Sequence, residues 1–168
     1  MAEFSTLTGK LLLATLVDQN TDEIVFITLD GRAYRMYHPQ DCCETVTIDD
    51  ICGELDWLQE AQVIRAEERS HRGVTHDDPD SDSGPGNSQT WTFYELVTNK
   101  GAVTIRWHGT SNGYYSESVC FTRIDNEGGG GALRAAYEAV PTPFKAWAAK
   151  MGIDPRAYAC AQQEEHDE

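Results

Sequence analysis

Two spacings of apolar residues divide this chain. From residue 11 to about 123 they alternate with polar positions or form short runs, as strands do; beyond residue 131 they recur every three or four positions, as helices do. Leu11–Val17 is apolar and ends at the turn-forming Asp18-Gln19-Asn20, with Ile24–Ile27 next. Asp30-Gly31 is a strong hairpin signal. After it, Tyr34, Met36 and His38 share one face and Arg35 and Tyr37 the other, until Pro39, which cannot donate to a ladder. Thr45–Ile48, Val63–Glu68 and Trp91–Val97 predict further strands, with a turn at Asn99–Gly101. Val103–Trp107 and Tyr115–Arg123, joined through Gly109–Gly113, predict a last hairpin. Trp91, Phe93, Ile105, Trp107 and Phe121 are the expected core, subject to register.

The period changes in two places. Asp49-Asp50, followed by Ile51, Leu55 and Leu58, predicts one helix after the fourth strand, with acids in its first turn. Beyond Asp125–Gly131, a linker with four glycines, Leu133, Ala136, Tyr137 and Val140 share a helical face. Thr142 and Pro143 then open a second helix carrying Phe144, Trp147, Ala148 and Met151, which Gly152 stops; Asp154-Pro155 can start a third. Ser, Gly, Pro, Asn and Asp crowd residues 70–89, predicting a mobile surface loop. The expected plan is a β-rich domain over 1–124, a linker over 125–131, a helical extension over 132–163 and an acidic tail over 164–168. The fold class is α+β: a twisted antiparallel sheet of about six to eight strands, one helix, and a C-terminal helical hairpin.

Composition narrows the partners. The 168 residues carry a net charge of −15 and a sequence pI near 4.5, which disfavours direct binding to nucleic acid or anionic membrane. The longest apolar run, broken by Thr15, spans seven residues, whereas a membrane helix needs about 20. No basic stretch followed by an apolar one suggests a secretory signal. Five cysteines, an odd number without any CxxC pair, suggest a reducing compartment and exclude zinc-ribbon and thioredoxin-type motifs.

The densest chemistry lies at His38-Pro39-Gln40-Asp41-Cys42-Cys43-Glu44, where a strand end gathers an imidazole, two carboxylates and two thiols. Three readings compete. His38, Asp41, Cys42 or Cys43, and Glu44 could hold a metal, with His108 or Glu117 completing the set. Against this, adjacent cysteines on extended backbone point to opposite sides. Cys42 or Cys43 could instead be a nucleophile with His38 as base, and either chemistry would make this segment the centre of a metal- or thiol-dependent hydrolytic enzyme. The third reading is structural: a buried thiol, with Asp41 or Glu44 capping backbone N–H groups. The second candidate is the turn around Arg106, His108, Asn112, Tyr114, Tyr115 and Glu117, whose aromatics could stack on a polar ligand, or which could be simply a well-made turn. The two turns could adjoin and form one ligand-binding site. Residues 41–68 hold nine acids and one base, so a negative face could mimic nucleic acid, or merely keep the protein soluble.

These phrases resemble a family of unknown function from tailed phages and prophages. The resemblance rests on Asp30-Gly31, Tyr34, His38, Gln40–Glu44, Val46, Asp50-Ile51 and Gly53–Leu55, then Trp91–Tyr94, Val103–Trp107, Gly109 and Ser111–Val119. It covers roughly residues 8–122. It implies a compact β-rich domain made in the bacterial host's cytoplasm, and neither an activity nor catalytic residues. With no catalytic motif recognised, the expected function is that of a small, acidic, non-enzymatic phage accessory protein. Its partner would be a host or defence-system protein or a small polar ligand; no cofactor is named.

Overall fold

The computed structural model describes residues 1–18, 20–30, 32–74 and 88–124. Eight strands make it up: β1 (Leu11–Asp18), β2 (Glu23–Thr28), β3 (Ala33–Tyr37), β4 (Glu44–Cys52), β5 (Ala61–Val74), β6 (Ser88–Thr98), β7 (Ala102–Ser111) and β8 (Cys120–Ile124). Short 3-10 turns occupy Phe4–Leu7 and Leu55–Leu58. The strands form one sheet in the order β4-β7-β6-β5-β1-β2-β3-β8, each neighbouring pair antiparallel. Its two halves are joined by a short ladder between β1 and β5, Leu11↔Gln62 and Leu12↔Ala61.

Both halves face one core, so the sheet is rolled. Tyr34 and Met36 from β3, Phe26 from β2, Tyr94 from β6, Ile105 and Trp107 from β7 and Phe121 from β8 all enter the same cluster. Trp107 donates its indole N–H to Met36 Sδ at 3.3 Å, joining the halves across the interior. Phe4 packs edge-on against Tyr94 and Phe121 at 4.8 and 5.4 Å between centroids. The apolar run of β1 serves two surfaces, because Leu12 joins the main core while Leu13 packs with Ile27 on the other face. A bulge between Leu12 and Ala14 accompanies that change.

Edges of a sheet invite further pairing. The free side of β4 is occupied by side chains: Gln40 Nε2 donates to Val46 O at 2.6 Å, and Asp22 Oδ1 accepts from Ile48 N–H at 2.9 Å. On β8, Ala2 N–H reaches Phe121 O at 2.9 Å.

The α+β expectation is overturned: among the described residues the architecture is antiparallel sheet with no helix beyond single 3-10 turns. No helix follows the fourth strand. Instead β4 runs through Asp49-Asp50 to Cys52, with a bulge between Ile48 and Asp50, because β7 supplies a ladder partner and Arg106 binds Asp49 Oδ2 at 2.5 Å. The helical spacing is satisfied otherwise. Ile51, Leu55 and Leu58 all reach the core, from a strand and a 3-10 turn separated by Gly53 at φ 107°. The expected C-terminal helical hairpin lies outside the described residues, as do the linker and the acidic tail. Of the expected loop 70–89, both ends are strand: β5 extends to Val74 and β6 opens at Ser88.

The last hairpin is not formed either. β7 is already paired on both sides, by β4 and β6, so the returning chain crosses over and adds β8 to β3. Register also moves two expected core residues. Thr92, Tyr94 and Leu96 face inward on β6, leaving Trp91 and Phe93 half-buried on the outer face.

Candidate functional site

One end of the rolled sheet gathers the end of β3, the starts of β4, β6 and β8, and the end of β7. Glu44 pairs with Ser111, Ser111 with Ser88, and Tyr37 with Cys120. The segments 38–43 and 112–119 therefore leave the sheet side by side.

The first segment is held from below. His38 Nδ1 donates to Ser118 O at 2.7 Å, which leaves Nε2 3.4 Å from Glu44 Oε1. That contact is attractive only with a proton on Nε2 or on the carboxyl. Both side chains are buried, at 4% and 2% exposure. Glu44 Oε1 also accepts the Asp41 N–H, while its Oε2 is buried without a partner. Above this layer Asp41, Cys42 and Cys43 are exposed.

The two thiols do not point apart. Residues 42–43 form a bend rather than extended strand, which brings Cys42 Sγ to 2.8 Å from Cys43 Sγ and 3.2 Å from Tyr115 Oη. The Cys42 hydrogen bond, then burial and the neighbouring charge, raise the Cys43 pKa above the ordinary thiol value. The separate hydrogen bond between Cys42 and Tyr115 pushes Tyr115 up to about 12. No bond joins His38 to either thiol. Cys42, Cys43, Cys52 and Cys120 are all free.

The second segment is a framed turn. Asn112 N–H donates to Cys43 O at 3.4 Å, Gly113 N–H to Ser111 Oγ at 3.1 Å, and Tyr114 N–H to Asn112 Oδ1 at 3.1 Å. Gly113 adopts φ 87°, where a side chain would be strained. At the tip Tyr114 is 92% exposed.

Glu117 sits beneath this turn, 8% exposed. It accepts hydrogen bonds from the hydroxyls of Ser88, Thr90 (2.6 Å) and Ser111 (2.7 Å). Burial acts to raise its pKa, but the three hydroxyls and the Arg72 charge outweigh it and hold the carboxyl below the usual value. Gly109 makes the room: a Cβ there would lie 2.8 Å from Glu117 Cβ.

Of the residues singled out in the sequence, this end unites His38, Asp41, Cys42, Cys43, Glu44, Asn112, Tyr114, Tyr115 and Glu117. Arg106 and His108 belong elsewhere, on the outward side of β7. Arg106 binds Asp49, and His108 stacks on Trp91 at 4.6 Å and contacts Gln89. Among the described residues no group of three or more His, Cys, Asp or Glu is arranged to hold a metal ion. Sequence reasoning missed the hydroxyl cage. Its signal was Ser88 and Thr90 two apart, on a stretch whose start read as loop. It also missed that Ser118 fixes His38 through its backbone, which leaves no trace in the side-chain pattern.

No helix among the described residues is long and apolar enough to cross a membrane. No curated protein and no solved structure matches the chain. Residues 6–121 match the model of a domain of unknown function, DUF7448, and the chain belongs to that family.

Proposed function

We propose that this chain is a non-enzymatic, phage-encoded accessory protein that acts in the bacterial cytoplasm by binding a host or defence-system protein through the paired turns 38–43 and 112–118. The observation that carries this reading is Tyr114, 92% exposed on a turn whose backbone is fixed by its neighbours. Tyrosine presents a large contact area with little rotamer entropy to lose, which is why it recurs in protein interfaces. A pre-formed turn lowers the ordering cost of association. A small ligand favours a concave site. Among the described residues, depressions occur at Glu3–Ser5 with Ala66–Ser70, and at Asp22 with Ile48–Ile51 and Gly53–Asp56.

The alternatives find less support. A thiol enzyme needs a base beside a sulfur of lowered pKa, whereas His38 is engaged by Ser118 and Glu44, and the Cys43 thiol is pushed up. Nucleic-acid mimicry needs unpaired, phosphate-like charges, whereas Arg106 bridges Asp49 and Asp50, and Arg65 contacts Glu67 and Glu95.

The test is affinity capture from a bacterial lysate by the full-length chain and by its Tyr114→Ala/Tyr115→Ala variant, the melting temperatures of the two being compared first. A captured protein whose affinity drops tenfold or more in the folded variant is expected. Equal capture by both would remove the turns from the interface, and capture of DNA-binding proteins displaced by duplex DNA would favour mimicry.

A further inference from the structure

We propose that Cys42 and Cys43 form an oxidisable dithiol, which closes to a vicinal disulfide by exchange with a low-molecular-weight disulfide and reopens with thiol reductants. Only its consequence for binding rests on the function proposed above.

Three observations carry it. The sulfurs are 2.8 Å apart within a bend, already near the length of a disulfide, about 2.05 Å. Both cysteines are exposed to a soluble oxidant. The other described thiols are not placed to pair with them: Cys52, also exposed, lies at the opposite end of β4, and Cys120 lies half-buried on β8.

The chemistry runs in two exchanges. One protein thiolate attacks an external disulfide RS–SR, forming a mixed disulfide and releasing RS⁻. The second thiolate attacks the protein sulfur of that mixed disulfide, forming the Cys42–Cys43 bond and releasing the second RS⁻. The two protons lost by the protein thiols end on the two RS⁻ groups. The protein is oxidised by two electrons, and RS–SR is reduced to two RSH. Proximity accelerates the second exchange, because the attacking sulfur is already adjacent. The small ring that results is strained, which makes it reducible, as regulatory rather than structural disulfides are. With the Cys43 thiol pushed up, the first exchange quickens as pH rises.

Oxidation removes the S–H that Cys42 donates to Tyr115, and it re-forms the bend whose Cys43 carbonyl accepts from Asn112. Both contacts join the two turns, so the disulfide acts on the proposed binding end.

The test uses the reduced full-length chain, treated at pH 8 with oxidised glutathione. Remaining thiols are alkylated and the 42–43 peptide is weighed. The expected peptide is two hydrogens lighter and unalkylated, and dithiothreitol restores it. Cys42→Ser and Cys43→Ser should each carry a single glutathione instead. A wild-type peptide bearing glutathione, or alkylated at both positions, overturns the proposal. Phenylarsine oxide gives a second reading: one equivalent should bridge the pair with release of water and be lost in Cys42→Ser. Undiminished binding in that variant would count equally against it. Neither readout involves a partner, so its failure leaves the tyrosine test standing, and failure of the tyrosine test leaves the dithiol standing.

Discussion

Replacing Glu117 by Gln keeps the shape of a buried side chain and removes its charge. Three hydroxyls, from Ser88, Thr90 and Ser111, donate to the carboxylate. A hydrogen bond to a charged group contributes about 1.5–3 kcal/mol, and a neutral one about half of that. Neutralising the acceptor weakens all three, and relief of the cost of burying the charge returns part of the loss. The net destabilisation expected at pH 7 is about 1–2 kcal/mol. The pH dependence distinguishes this account from a packing defect. The folded pKa lies below the ordinary value, so the carboxylate's contribution is fully present above about pH 4.3 and is lost as pH falls through the folded pKa. Below that point the native protein carries a neutral carboxyl in the same cage. The difference between native and variant, read from urea unfolding followed by tryptophan fluorescence, should therefore shrink toward zero in acid. A difference that stays constant between pH 7 and pH 3, or that falls below about 0.3 kcal/mol at pH 7, would refute the charge-assisted cage.

Gly109→Ala should destabilise by about 1–3 kcal/mol, since its Cβ would meet Glu117 Cβ at 2.8 Å, Glu117 O at 3.1 Å and Val46 Cγ2 at 3.2 Å; thermal unfolding measures it. Trp107→Ala should cost about 3–5 kcal/mol, because the ring is 1% exposed and spans both halves of the sheet; Trp107→Phe, which loses the bond to Met36 but little packing, should recover most of that. Gln40→Ala should open the free side of β4 at Val46, and light scattering on incubation at high concentration should show association that the native protein lacks. Raising the pH from 7 to 9 should quicken alkylation of Cys43 later than that of a free peptide thiol, because its pKa is raised.

What the sequence revealed of the fold was local. Alternation put Tyr34 and Met36 on one face of β3, which turns inward and leaves them 1% and 0% exposed, and the turn after Thr98 closes through its N–H on Gly101 O at 2.8 Å. Pairing was not legible, because it depends on which edges are already taken. Val103–Trp107 and Phe121 read as one hairpin, yet β6 and β4 occupy β7, and Phe121 pairs with Met36. Helical spacing at Ile51, Leu55 and Leu58 misled for a similar reason: three- and four-residue intervals also arise where a strand passes through a glycine into a 3-10 turn. At the site, residue types drew attention to the right segments. Their roles needed the third dimension, since a carboxylate can be an exposed acid like Asp41, a buried partner of histidine like Glu44, or the centre of a hydroxyl cage like Glu117.

The layering of this end explains how one turn can be both anchored and presented. His38 and Glu44 are buried beneath it, and Gln40 is spent on the β4 edge. Each anchor alternates with exposed residues: Pro39 and then Asp41, Cys42 and Cys43 remain outside. The neighbouring turn repeats the arrangement, with Glu117 and Ser111 buried and Asn112 and Tyr114 outside. Buried polar pairs contribute little net stability beside apolar packing, but they fix geometry, because displacing one partner leaves the other unpaired. Four buried polar anchors, His38, Glu44, Ser111 and Glu117, therefore hold an exposed tyrosine and two thiols at defined positions. Simple closure of the sheet would need none of this, since β4 and β8 are edges and the core beneath is complete with Trp107, Met36 and Phe121.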